Sequence, residues 1–148
     1  MAGIPDAHPI FKHIEALIKT VRSFGPTRVD TGKVPAGITT VGGHILPYCV
    51  LWPGAGSPYD QEPVAGGPDL QGQEFRFNTT VAATETWAVL GATGELKAAL
   101  TGARVGSGII RPALSQQAAT VLTDTDISPA RPFLPLSWTL TTTRNPEQ

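Results

Sequence analysis

Ile10, Phe11, Ile14, Leu17, Ile18, Val21 and Phe24 recur at spacings of three and four, one stripe of an amphipathic helix. Asp6 or His8 precedes it, Pro9 suits its first turn, and Gly25-Pro26 is the expected stop. Thr27 to Val41 is heavily punctuated by glycine and proline, with room for a short strand through Val29, Thr31 and Lys33. His44 to Trp52 is a mostly apolar run ended by Pro53-Gly54 and reads as a strand buried on much of both faces, with Pro47 marking an edge or bulge. Phe75, Phe77, Thr79 and Val81 alternate with Arg76, Asn78 and Thr80, the period of a strand with one wet face.

A second helix is expected after Thr84 as cap, with Glu85 in its first turn, through Trp87, Val89, Leu90, Leu96, Ala99 and Leu100, ending near Gly102. Gly91 and Gly94 weaken it by up to about 1 kcal/mol each. Ile109 to Leu114 and Val121 to Ile127 are short strand candidates, and Phe133 to Thr142 alternates Leu136, Trp138 and Leu140 against Ser137, Thr139 and Thr141. The order of elements predicts an α+β fold in a single domain over residues 1–148, a mostly antiparallel sheet packed against two helices. The helices are expected to cover the sheet through Ile14, Leu17, Ile18, Val21, Trp87, Leu90, Leu96 and Leu100.

A chain of 148 residues can bury roughly 68–70% of its unfolded surface, so a substantial core needs no staples. The 41% hydrophobic and 16% charged residues are those of a globular chain, although Gly 16 and Pro 14 make it loop-rich. A net charge of -1 provides no overall positive field for phosphates and disfavours a dedicated nucleic-acid binder. The lone Cys49 has no internal disulfide partner, and a reducing compartment is its simplest reading. Met1 to Phe11 lacks the basic and apolar regions of a secretory signal, and no stretch approaches the roughly 20 apolar residues of a membrane span. A soluble chain is expected.

Patterns that carry chemistry are sparse. Cys49 and His44 are five apart, on opposite faces of one strand, which separates a nucleophile from its base. His8 and His13, also five apart, miss the four-residue spacing of a helical metal pair. Asp124 and Asp126 would share a strand face and could offer two hard oxygen ligands to a divalent cation, against the simpler reading of a solvated turn. Gly25 to Val34 fails as a phosphate loop because Val34 stands where a hydroxyl is needed, and Gly54, Gly56 and Tyr59 fail the dinucleotide pattern. Asn78-Thr79-Thr80 matches a glycosylation acceptor, which carries no weight without a secretory signal. No catalytic, cofactor-binding or metal-binding residue is assigned.

What remains is Pro53 to Gly72, a long loop with five glycines and four prolines. Connections beyond about 12–15 residues are usually functional or disordered, and this one reads either as a partner-docking loop, with Trp52, Tyr59, Val64 and Leu70 as its apolar anchors, or as a floppy excursion between two hairpin strands; composition does not choose between them. The many small residues leave no obvious apolar oligomer seam elsewhere, so a monomer or weak oligomer is expected for the protein alone.

The run of elements, with VLWP at Val50 to Pro53, FRFNTTV at Phe75 to Val81, ELKAALTG at Glu95 to Gly102 and LSWTLTTT at Leu136 to Thr143, resembles the tail terminator proteins of long-tailed bacteriophages. The resemblance spans most of the chain. It implies a small domain of helices on a sheet, assembled as a ring, a hexamer in the family, on the head-proximal end of the tail tube. Such a ring ends tube polymerisation and joins tail to head. The implied partners are further copies of the chain, the tail tube protein and a head-completion or connector protein, with passive contact to DNA in the lumen and none with a membrane. The implied location is the virion neck, after assembly in the host cytoplasm. The resemblance carries over no catalytic residue. Alternative readings are another neck or head-completion protein, a small metal-dependent hydrolase using Asp124 and Asp126, or a DNA-contacting protein.

Overall fold

The computed structural model describes residues 7–36, 40–41, 44–54, 57–58, 73–113, 120–126 and 130–142. Helix α1 spans Ala7–Lys19 and buries Ile10, Phe11, Ile14 and Ile18, with Leu17 half-buried at the margin of the stripe. It stops before the expected Gly25-Pro26. The Thr20 hydroxyl and amide both donate to the Leu17 carbonyl and the Val21 amide donates to Ile18, so the backbone tightens to three-residue bonds and leaves the helix. Val21 and Phe24 stay buried in the turn that follows. Glu95 holds that turn in place, accepting the Ser23 amide at 3.2 Å and its hydroxyl at 2.5 Å.

Strand β1 is Val29–Thr31. The run expected as one strand over His44 to Trp52 divides at Leu46 and Pro47 into β3 (His44–Ile45), paired with β2 (Thr40–Val41), and β4 (Tyr48–Trp52). Tyr48 to Leu51 are buried on both faces, as the unbroken apolar run indicated. The hairpin strand β5 (Ser57–Pro58) precedes β6 (Gln73–Ala82). Helix α2 covers Thr86–Leu100, followed by β7 (Arg104–Val105), β8 (Gly108–Pro112), β9 (Leu122–Asp124) and β10 (Arg131–Thr142). Of the strand candidates after residue 103, β8 and β9 are shorter than expected and β10 begins two residues earlier, while β7 was not anticipated. The β7–β8 hairpin has a two-residue loop that opens on Gly106 at φ 59, the left-handed conformation such a tight turn requires.

In the main sheet the order is β1-β4-β6-β10-β8-β7, with β5 beside β6 and β9 beside β10. All its pairs are antiparallel except β1 with β4. The fold is α+β, a single domain with both helices on one face of a mostly antiparallel sheet, as the order of elements predicted.

Register places the core residues in rows beneath the helices: Val29, Cys49, Val81 and Leu134 in one, Leu51, Thr79 and Leu136 in the next, then Phe77 with Trp138, and Phe75, Leu140 and Ile110 in the last. Phe11 of α1 meets Phe75 and Phe77 edge-on at centroid distances of 5.8 and 5.7 Å. Trp138 stacks on Phe77 and donates its indole N–H to Thr79 Oγ1 at 3.0 Å, which satisfies both polar atoms of that fully buried pair.

Helix α2 corrects two expectations. Its N-cap is Glu85, because the Thr84 hydroxyl is engaged elsewhere, accepting the Ile45 amide at 2.6 Å. The buried residues are Val89, Ala92, Thr93, Leu96 and Leu100, whereas Trp87 and Leu90, expected in the core, are 80% and 42% exposed. Trp87 and Leu96 are nine residues apart, half a turn out of phase at about 100° per residue, so one helix face cannot hold both. Gly102 ends the helix where expected, at φ 81, its amide donating to the Ile110 carbonyl.

Candidate docking surfaces

Trp52 ends β4 on the sheet face opposite the helices. It is 42% exposed, and its indole N–H donates to Thr80 Oγ1 at 3.1 Å. Thr79 and Thr80 are successive residues of β6, so each accepts a tryptophan N–H on its own face. The chain then passes Gly54, where a Cβ would lie 2.1 Å from the Arg76 carbonyl oxygen; only glycine permits that approach. Beyond it Ser57 and Pro58 pair with Glu74 and Gln73. Five steps from Trp52 to Ser57 thus oppose four from Asn78 to Glu74, the count of a β-bulge. The start of the loop expected over 53–72 is therefore an extension of the β4 lane, held by β6. Tyr59, Val64 and Leu70 lie outside the described residues, as does the rest of that segment over 59–72.

The face opposite the helices alternates with the core. Tyr48, Ala82, Phe133 and Leu122 share a row, followed by Val50, Thr80 and Pro135, then Trp52, Asn78 and Ser137, then Arg76, Thr139 and Arg111, then Glu74, Thr141, Ile109 and Arg104. At one end Ile45, Tyr48, Val50 and Ala82 form a small apolar cluster, and Arg131 donates to the Tyr48 hydroxyl at 3.2 Å. Towards the other end the face is polar and its exposed charges are mainly arginines.

A second surface lies on α2. Trp87, Leu90, Gly91 and Gly94 face away from the sheet, and a Cβ built on either glycine would meet nothing within 4 Å. This helix is therefore apolar on both sides but covered on one. A helix apolar all round is ordinarily buried all round. The sequence held the signal as two interleaved stripes, and reading them as a single broad face hid the outward one.

The remaining candidates do not converge. Cys49 is fully buried, burial pushes its thiol pKa up, and His44 sits on a different strand, 3.5 Å from the Glu85 carboxylate. His8 and His13 are both exposed on α1. Asp124 ends β9, and its carboxylate accepts the Asp126 amide at 3.0 Å, so the two aspartates form a local turn instead of sharing a strand face. Among the described residues no group of three or more His, Cys, Asp or Glu side chains could hold a metal ion. Within Gly25 to Val34, Gly25 turns at φ 65 and Lys33 lies 3.9 Å from Asp30. An apolar cleft of about 480 Å³ lies between Phe11 and Lys12 of α1, Thr31, and Pro53-Gly54. Beside it Glu15 accepts the Thr31 hydroxyl; that bond, aided by Lys19 and Lys12 and opposed by burial, holds the carboxyl pKa below its usual value.

The sequence matches no protein-family model and no curated protein.

Proposed function

We propose that the chain is a structural assembly subunit that forms a ring at the head-proximal end of a phage tail tube, ending its polymerisation and joining tail to head. The observation that carries the assembly part is the outward face of α2. An indole 80% exposed beside Leu90, on a helix whose other side is already packed, is what an interface residue looks like before its partner is added. The tail-terminator part rests on the layout of the sequence, from the VLWP strand end through the FRFNTTV strand to the ELKAALTG helix and the closing LSWTLTTT strand. The partners in this reading are other copies of the chain, the tube protein and a connector protein. Trp52 and the segment that follows Pro58 supply the docking arm. No enzymatic step belongs to this reading.

Complementation of a terminator-deficient phage tests it. Wild-type protein is expected to restore infectious particles with a narrow tail-length distribution. A chain retaining Ser57 and Pro58 but with 59–72 replaced by a short turn is expected to fold normally and to leave tails of uncontrolled length. Loop-closure entropy changes only slowly with length, so the sheet should tolerate the deletion. Failure of the wild-type chain to control tail length overturns the reading.

A further inference from the structure

The charges on the sheet face opposite the helices are unevenly placed. Arg76 and Arg111 are both register partners of Thr139, so their backbones lie two strand spacings apart, about 10 Å. Arg104 follows one row on, beside Ile109 of β8. All three are exposed. In these rows, among the described residues, the one carboxylate is Glu74, with Oε2 3.6 Å from Arg76 Nε. The patch is thus a triangle of guanidinium groups with an excess of two positive charges, on a chain of net charge -1.

The matching charge is in the same sequence. No lysine or arginine occurs between His44 and Phe75, and residues 59–72 carry Asp60, Glu62 and Asp69. We propose that the arginine triangle of Arg76, Arg104 and Arg111 is the docking site for the acidic segment 59–72 of a second copy of this chain. Arginine forks suit carboxylates, each able to offer two parallel N–H donors.

Reach favours a second copy over the chain's own segment. Asp60 is two residues beyond Pro58, so it extends at most about 7 Å from the sheet; Glu62 and Asp69, four residues from Pro58 and Gln73, extend at most about 14 Å. Arg111 and Arg104 stand two and three strands from β6, about 10 and 14 Å across the sheet. Within one chain both limbs would have to turn across β10 and β8 from their anchors at Pro58 and Gln73. The segment of a neighbouring copy carries no such tether. The inference rests on the proposed function only in requiring that copies meet.

Charge exchange tests it. The Arg76→Glu, Arg104→Glu, Arg111→Glu triple variant and the Asp60→Lys, Glu62→Lys, Asp69→Lys triple variant are each examined by sedimentation velocity across concentration, at low and high salt. A milder Arg→Gln triple variant and melting curves control for folding. Wild type is expected to self-associate more weakly as salt rises, and each triple variant to require about tenfold more protein. An equimolar mixture of the two triple variants is expected to recover wild-type association, because each then offers the charge the other needs. A mixture no better than its components, a wild type that stays monomeric at every concentration, or an arginine variant that associates normally would each overturn the proposal. Duplex DNA is titrated in parallel: loss of DNA binding in the arginine variants with association unchanged would assign the face to phosphates instead. Wild-type caps on tail tubes with no rescue in the mixture would defeat this inference alone, whereas rescue without tube capping would defeat the proposed function alone.

Discussion

The two helices pack on the same sheet face but differ in what they leave outside. Helix α1 is one-sided: Ile10, Phe11, Ile14 and Ile18 are buried, while Lys12, His13 and Lys19 lie towards water. Helix α2 buries Val89, Ala92, Leu96 and Leu100 and still presents Trp87 and Leu90 to solvent. The inward side is made of aliphatic and small side chains, and the largest side chain of the helix, Trp87, is on the side the fold does not use. One helix is patterned for the fold alone, the other for the fold and for something added later.

The largest effects should appear where the helices are alike. Ile14→Ala in α1 and Leu96→Ala in α2 each remove side-chain atoms from a fully buried site, and each should cost about 2–5 kcal/mol in denaturant unfolding. A loss well below that range at Leu96 would show that α2 is not anchored by its inward stripe. Smaller and opposite in sign is the glycine pair. Gly91→Ala and Gly94→Ala should each stabilise the isolated subunit by about 1 kcal/mol, since both sites are helical and open. The same changes should weaken assembly if another backbone comes close there. Stabilisation with undiminished assembly would limit the outward contact to Trp87 and Leu90.

A smaller effect should follow pH on the α1 side. The Thr31 hydroxyl, Lys19 and Lys12 together favour the charged form of Glu15, which lowers its folded pKa below the unfolded value. Its contribution is therefore present above the unfolded value and disappears as pH falls through the lower folded one. Melting temperatures of wild type and Glu15→Gln should differ near neutrality and converge in acid; a gap that persists in acid would contradict this assignment. Smallest of all for folding is Trp87→Asp, expected to change stability by no more than about 0.5 kcal/mol because its side chain touches little.

Much of this architecture was legible in the sequence. The alternations Phe75 to Val81 and Leu136 to Leu140 gave the two central strands and their buried faces, because a period of two admits one reading when one face is wet. The end of α1 was not legible, since the Thr20 hydroxyl competes for a helix carbonyl through geometry that periodicity does not express. Nor was the face of α2: where both stripes are apolar, pattern alone cannot say which meets the sheet. The arginine triangle also escaped, because Arg76, Arg104 and Arg111 lie far apart in sequence and only the β6-β10-β8-β7 order brings them together. Of the docking anchors, Trp52 lies exposed at a strand end, while Tyr59, Val64 and Leu70 fall outside the described residues.

The most direct measurement is negative-stain imaging of purified tail tubes mixed with wild-type protein and, separately, with the Trp87→Asp variant, both first shown to melt normally. The account predicts rings at the tube ends with wild type and bare ends with the variant. Bare ends with both proteins, or rings equally frequent with both, would contradict it.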